Sequence, residues 1–304
     1  MKDVSLLGAP MDLGGARRGT DMGPNAVRIA GLEAALRSQG HDFLDLGNIE
    51  VADISTISVG DTSARYLNEI ATSCEKIRDS VSQTLEAGRF PLVVGGDHAI
   101  ACGTVAGVSD HYAAQGESIG LLWFDAHGDM NTPESSPSGN VHGMPLAACV
   151  GRGPDALTRL GERLPLVDAA NTAVVGVRSI DDAERKVVEE LGVRVFTTRE
   201  IDARGMFAVM TDAIEIVTNG TAGFHVSFDL DGSDPTAAPG VGTPEPGGLT
   251  YRESHLFMEM AAESERAVSL EVTEINPILD RGNTTAEFAV EMCLSALGQS
   301  VLSR

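Results

Sequence analysis

The stretches LVVGGDHAI and LLWFDAHGDMN put His98, Asp125, His127 and Asp129 at the ends of two apolar runs, and HVSFDLDGSDP adds Asp229 and Asp231 at the end of a third. Four carboxylates and two imidazoles beside buried-looking strands are more charge than a core tolerates without a cation. The alternation in DxHxD and DLD predicts that, in an extended segment, the ligands of each run share one side. A site with carboxylates in the majority and some imidazole is hard. It favours Mn²⁺ over thiolate-loving Zn²⁺, while leaving Zn²⁺, Fe²⁺ and Co²⁺ open. Bridging carboxylates would hold two ions about 3.5–4 Å apart with an ionised water between them, the arrangement of a two-metal hydrolase.

The elements that must position these residues alternate along the chain. DVSLLGAP reads as a strand, and one helix is expected over 24–40, with Pro24 at its first position and Gly40 as its stop. The strand HDFLDLGNIEV precedes a helix from about Asp61 to Ala87, and the strand FPLVVGG leads into another helix. SIGLLWFD is a strand, followed by a long loop to about Asn140 and a short helix on GMPLAACVG. NTAVVGVRS, VRVFTT, FHVSFDLD and AVSLEVTEI read as strands. Between and after them come helices on DDAERKVVEELG, on EIDARGMFAVMTDAIEIVTNG as a single element, on TYRESHLFMEMAAE and on TTAEFAVEMCLSALGQS. Strands that read as buried on both faces and are separated by helices predict an α/β fold, a three-layer α-β-α sandwich around a mostly parallel sheet. No repeat or linker interrupts residues 1–304, so a single catalytic domain is expected. Ligands of such a sheet gather at the carboxyl ends of its strands, which brings all six metal-ligand candidates to one rim.

Composition limits the partners. The 304 residues carry 44 acidic against 22 basic side chains, a net charge of −22, with only three lysines. Such a surface repels nucleic acid and anionic membrane. The acidity either steers a cationic substrate or is a salt-tolerant, soluble surface. No apolar run is long enough to span a membrane and MKDVSLLGAPMD lacks signal-peptide features, which makes the cytoplasm the expected location. Cys74, Cys102, Cys149 and Cys293 lack CxxC spacing and read as buried reduced thiols on helices. GGARRGT lacks the Lys-Ser/Thr of a phosphate loop.

The runs GAPMDLGGARRGTDMGP, GGDHA, DAHGDMNTPESSPSGNVHGMP, SFDLDGSDP, APGVGTP and EINPILD resemble, in order and over nearly the whole chain, the signature segments of the arginase family of ureohydrolases. The resemblance implies the fold named after arginase and a homo-oligomer, trimer or hexamer. It implies one Mn²⁺ on His98, Asp125, Asp129 and Asp229 and a second on His127, Asp125, Asp229 and Asp231. The implied reaction is hydrolysis of L-arginine to L-ornithine and urea by a metal-bridging hydroxide. Glu274 matches the family's guanidinium-binding glutamate, as a charge-assisted clamp on a planar cation requires. His142 matches its proton-shuttling histidine, and Asp129 would accept and deliver the proton that the leaving amine needs. Asn131 and Ser138 would face the substrate α-carboxylate, Asp181 and Glu184 its α-ammonium, and Thr243 the guanidinium side. Each also has a local reading: loop turns for Asn131, Ser138 and Thr243, and a helix capping box for Asp181 and Glu184. Asp97 is expected to orient the His98 ring. A ureohydrolase of agmatine or of a guanidino acid, and a non-catalytic metal-bound amino-acid sensor, are the alternatives.

Overall fold

The computed structural model describes residues 1–299. The chain begins β1 (Asp3–Ala9), α1 (Gly23–Ile29), α2 (Leu32–Ser38), β2 (Asp42–Asn48), α3 (Leu67–Glu86), β3 (Phe90–Gly95) and α4 (Ala101–Ala113). It continues through β4 (Gly120–Phe124), α5 (Pro145–Cys149), α6 (Asp155–Thr158), β5 (Thr172–Val177), α7 (Asp182–Leu191) and β6 (Arg194–Thr197). The last third comprises α8 (Thr198–Arg204), α9 (Met206–Thr218), β7 (Phe224–Asp229), α10 (Tyr251–Glu263), β8 (Ala267–Thr273) and α11 (Thr284–Ala296).

All eight strands join one sheet in the order β2-β1-β3-β8-β7-β4-β5-β6, and every pairing is parallel. Strands β3, β4, β5 and β7 are buried at every position, and the mostly apolar sequences of β3, β4 and β5 are what strands covered on both faces require. The edge strand β2 instead buries only Phe43 and carries the exposed Asp42 and Asp45, charges that discourage pairing with another edge. One core cluster packs β-strand side chains against α1, α2, α9, α10 and α11, and the other packs the opposite face against α3, α4 and α5. These are the three expected layers.

Two expected helices are each divided in two. The helix expected over 24–40 breaks at Gly31, whose φ of 89° is open to glycine at little cost. The one expected over 200–220 breaks at Gly205, with φ 80° and ψ 148°. The helix expected from about Asp61 starts only at Leu67, because Asp61 instead accepts hydrogen bonds from Ser63 in a turn.

The sheet order carries the functional consequence. Strands β3, β8, β7 and β4 are adjacent in the middle of the sheet, although they come from the second, last and third quarters of the chain. At or just beyond their carboxyl ends lie His98, Glu274, Asp229 and Asp125. Just below that rim an aromatic layer fixes two of the strands: Phe124 and Phe228 stack with centroids 4.2 Å apart, and Phe257 of α10 meets Phe124 edge-on at 4.9 Å. Phe257→Ala should therefore cost about 3–5 kcal/mol of stability. Urea unfolding should show a lower midpoint at unchanged slope. A loss below about 1 kcal/mol would mean that this layer does not hold the two strand ends together.

Candidate metal centre and cleft

Each ligand run leaves its strand through a tight turn that its own aspartate caps. Asp125 accepts the His127 N–H at 2.7 Å, Asp229 accepts the Asp231 N–H at 2.8 Å, and Asp97 accepts the Ala99 N–H at 3.1 Å. The DxHxD run is therefore not extended. It is a bend in which Asp129 has a left-handed backbone, φ 50°, and Glu274 after β8 likewise has φ 64°. Such conformations cost a non-glycine residue about 1–3 kcal/mol, and both lie where two ligand loops meet.

The bends bring the six candidates together. His98, Asp125 and Asp229 form one potential ligand group, and Asp125, His127 and Asp231 a second, with Asp125 common to both. His98 Nδ1 lies 3.0 Å from Asp229, 3.1 Å from Asp129 and 3.2 Å from Asp125, and His127 Nδ1 lies 3.1 Å from Asp231. All four aspartates and His98 are at most 5% exposed. Burial and the neighbouring Asp125 push the Asp129 carboxyl up to about 7, and burial pushes Asp229 and Asp231 up as well. Burial would lower the two histidines, but the surrounding carboxylates outweigh it and raise both. His98 Nδ1, despite three carboxylates at contact distance, makes no directed hydrogen bond. A buried ring nitrogen that faces three carboxylates without a directed hydrogen bond fits a cation ligand that displaces its proton, and an oxygen-rich donor set with imidazole fits Mn²⁺.

The cleft above the cluster has a volume of about 210 Å³. Pockets for drug-sized ligands run to ~300–1,000 Å³, so this one suits a metabolite of amino-acid size. His98, His127, Asp129, Asn131, His142, Asp181, Glu184, Asp229, Asp231 and Thr243 line it, with five carboxylates and no Lys or Arg among its walls. The field at its mouth thus favours a cation. On the outer wall Asn131 Nδ2 donates to Asp181 at 2.9 Å, and Ser135 donates to Asn131 Oδ1 at 2.8 Å. Asp181 and Glu184 do form a capping box at the start of α7 and line the cleft at the same time. Glu184 also accepts the Met130 N–H, which ties α7 to the DxHxD loop. Thr243 donates to Asp231 Oδ2 at 2.8 Å, bracing a metal-ligand candidate.

Two residues stand apart from these positions. Ser138 is exposed outside the cleft walls, and its hydroxyl accepts the Asn140 N–H. Glu274 is 2% exposed and lies behind His142. Its Oε1 accepts from the His98 N–H at 3.0 Å and pairs with His142 Nδ1 at 3.0 Å. Burial would lower His142, but Glu274 raises it to about 9. Glu274 Oε2 projects toward Gly242, where a Cβ would come within 2.6 Å of it. Asp97 does not touch the His98 ring, contrary to expectation: it accepts from Gly14 and Ala99 backbone N–H groups.

The ring of His98 is instead held by residues that the ligand motifs did not reveal. Its Nε2 meets Ser227 Oγ at 2.8 Å, and Trp123 stacks on it at 4.2 Å while donating Nε1–H to Asp125. Arg178, behind the second ligand group, donates to the backbone oxygens of Asp231 and Glu245, both at 2.7 Å, and pins the loop that carries Asp231. The signal in the sequence for Ser227 is the alternation of polar His225, Ser227 and Asp229 with apolar Val226 and Phe228 in HVSFD.

Comparison with known proteins agrees with this architecture. Residues 2–298 match the Arginase family. The chain is 49% identical to the arginase of Bacillus caldovelox over 303 residues, covering 99% of this chain and 100% of that one. It is 48% identical to the arginase of Brevibacillus brevis, covering 99% of each. The native structure of the Bacillus caldovelox enzyme at pH 5.6 superposes with a TM-score of 0.95, again over 99% of this chain and 100% of that one. The structure of Entamoeba histolytica arginase in complex with L-ornithine superposes with a TM-score of 0.88 at 33% identity, covering 97% and 98% of the two chains. With sequence, fold and the ordered ligand runs in agreement over the full length, this chain belongs to the arginase family.

Proposed function

We propose that the chain hydrolyses L-arginine to L-ornithine and urea at two Mn²⁺ ions, held by His98, Asp125, Asp129 and Asp229 and by His127, Asp125, Asp229 and Asp231. The observation that carries this reading is the cleft itself. Two ligand groups sharing Asp125 lie beneath a wall that carries five carboxylates and no Lys or Arg, in which Asn131, Asp181 and Glu184 can meet the amino-acid end of a cation. The relatives named arginase over the full chain support the same substrate. Two ions bound there supply Lewis-acid activation of a water and charge stabilisation of the transition state.

The protein's own groups do the rest. Glu274, buried and ionised beside His142, offers a fixed negative charge to the guanidinium. Asp129, beside the proposed ions, is placed to take the proton of the activated water and return it to the departing amine. His142, raised to about 9, holds a proton at pH 7 and can pass it between cleft and solvent. Asn131 orients the α-carboxylate, and Asp181 with Glu184 the α-ammonium. In this reading Ser138 reaches the α-carboxylate only if the loop from Asn131 to His142 shifts on binding. Assembly as a trimer or hexamer belongs to the proposal; exposed apolar side chains such as Ile29, Phe207 and Ile278 are compatible with subunit contacts. The four buried free thiols fit a reducing cytoplasm. Among the described residues no helix is long and apolar enough to cross a membrane.

Urea release from L-arginine should exceed that from agmatine or guanidinobutyrate by about 100-fold or more, because agmatine leaves the polar partners of the α-carboxylate unpaired and guanidinobutyrate those of the α-ammonium. The reverse order would assign the site to another ureohydrolase. Glu274→Gln removes the charge that raises His142. In the wild type the ion pair contributes fully below about pH 6.5 and is lost as pH rises through about 9. Histidine-ring NMR should show the variant's proton leaving at lower pH, and its KM for arginine should rise; an unchanged titration and KM would remove Glu274 from both roles. The chain has one tryptophan, and it stacks on His98. Titrating Mn²⁺ into metal-stripped protein should therefore change Trp123 fluorescence saturably, and an unaffected emission with metal bound would place the ions elsewhere.

A further inference from the structure

Parallel strands buried on both faces are expected to be apolar, yet β7 and β8 carry a polar ladder on one face. The register pairs His225 with Ser269, Ser227 with Glu271 and Asp229 with Thr273. His225, Ser227, Ser269, Glu271 and Thr273 are all 0% exposed. The intervening residues Val226, Phe228, Leu270 and Val272 join the apolar core on the other side. Burying an ionisable Glu where a Leu would pack is costly, and the ladder ends at Asp229 and His98.

The hydrogen bonds give the ladder a direction. Ser227 Oγ donates to Glu271 Oε1 at 2.6 Å, the length of a charge-assisted O–H···O⁻ bond. A hydroxyl has one proton. With that proton committed to Glu271, Ser227 can only accept at His98 Nε2, 2.8 Å away. The ring must then carry a hydrogen on Nε2, so that when it is neutral its lone pair is on Nδ1, among Asp125, Asp129 and Asp229. His225 supports the charge on Glu271: its Nε2 lies 3.4 Å from Oε1 while its Nδ1 meets Ser269 Oγ at 2.8 Å. Burial would raise the Glu271 carboxyl, but His225, His98 and Ser227 together hold it below its ordinary value.

We infer that Glu271, acting through Ser227, is a positioning residue that locks His98 in the tautomer able to bind metal through Nδ1. The inference rests on the reading of His98 as a metal ligand. A neutral partner in place of Glu271 lets the chain run backwards: a Gln can turn its NH₂ toward Ser227, whose proton then goes to His98 Nε2 and leaves the ring hydrogen on Nδ1. Loss of an outer partner of this kind typically weakens metal binding by about 10–100-fold.

The test compares the wild type, Glu271→Gln, Ser227→Ala and the double variant. Mn²⁺ affinity is measured for each, and ¹⁵N-histidine NMR is recorded on the diamagnetic Cd²⁺-loaded protein. The expected wild type has Cd²⁺ on His98 Nδ1 and a slowly exchanging Nε2–H. Each single variant should weaken one of the two sites by about 10–100-fold, and the double variant should be no weaker than Ser227→Ala, since Glu271 acts only through that hydroxyl. A wild-type ring protonated on Nδ1 overturns the relay without any variant, so a misfolded Glu271→Gln does not rescue it. Cd²⁺ on His98 Nδ1 together with wild-type affinity in the variants, or additive losses in the double variant, overturns the relay alone. Cd²⁺ that never reaches His98 overturns the metal reading and the relay together.

Discussion

Everything at the functional end of this molecule depends on one electrostatic problem. Asp125, Asp129, Asp229 and Asp231 converge within a region at most 5% exposed, with two imidazoles between them. Like charges at this separation in a low-dielectric setting repel strongly, and burial adds a further cost to each ionised carboxylate. The protein alone meets the problem with protons, which is why the Asp129 carboxyl rises to about 7 and the two histidines hold their protons so firmly. A cation bound at His98 Nδ1, which makes no directed hydrogen bond, would meet it better by taking the place of such a proton.

The fold makes that convergence affordable. Adjacent parallel strands β3, β8, β7 and β4 end at the same level, so their following loops are neighbours without any loop having to be long. Beneath the rim the Phe124, Phe228 and Phe257 layer supplies apolar contact on one face of the sheet. On the other face the β7–β8 polar ladder and the stacked Trp123 control the His98 ring. The outer wall of the cleft comes from the same loop after β4, beyond Asp129, and from α7, joined by Asn131 to Asp181 and by Met130 to Glu184.

Much of this was legible in the sequence because the informative signals are local. An apolar run ending in Asp reads as a buried strand with its carboxylate at the rim, and this holds for Asp125 and Asp229. The same local view misled where backbone geometry decides. Gly31 and Gly205 sit inside helical periodicity, where an isolated glycine is tolerated, so the periodicity alone predicts continuous helices. Period two likewise predicts an extended DxHxD because it ignores the turn that Asp125 caps with the His127 N–H. Ser138 belongs to a conspicuous motif but points away from the cleft. Glu271 was out of reach for a different reason: its role follows from the register of β8 on β7, strands separated by a helix, which no local pattern specifies.

The central claim is that the buried carboxylates exist to hold two metal ions that make the acidic cleft an arginine hydrolase. The most direct test strips the protein of metal, restores Mn²⁺ in measured increments, and follows urea release from L-arginine with metal content per chain. The account predicts no turnover in the stripped protein and full turnover at two ions per chain. Turnover that persists without metal, or that is complete with none bound at His98 and His127, would contradict it.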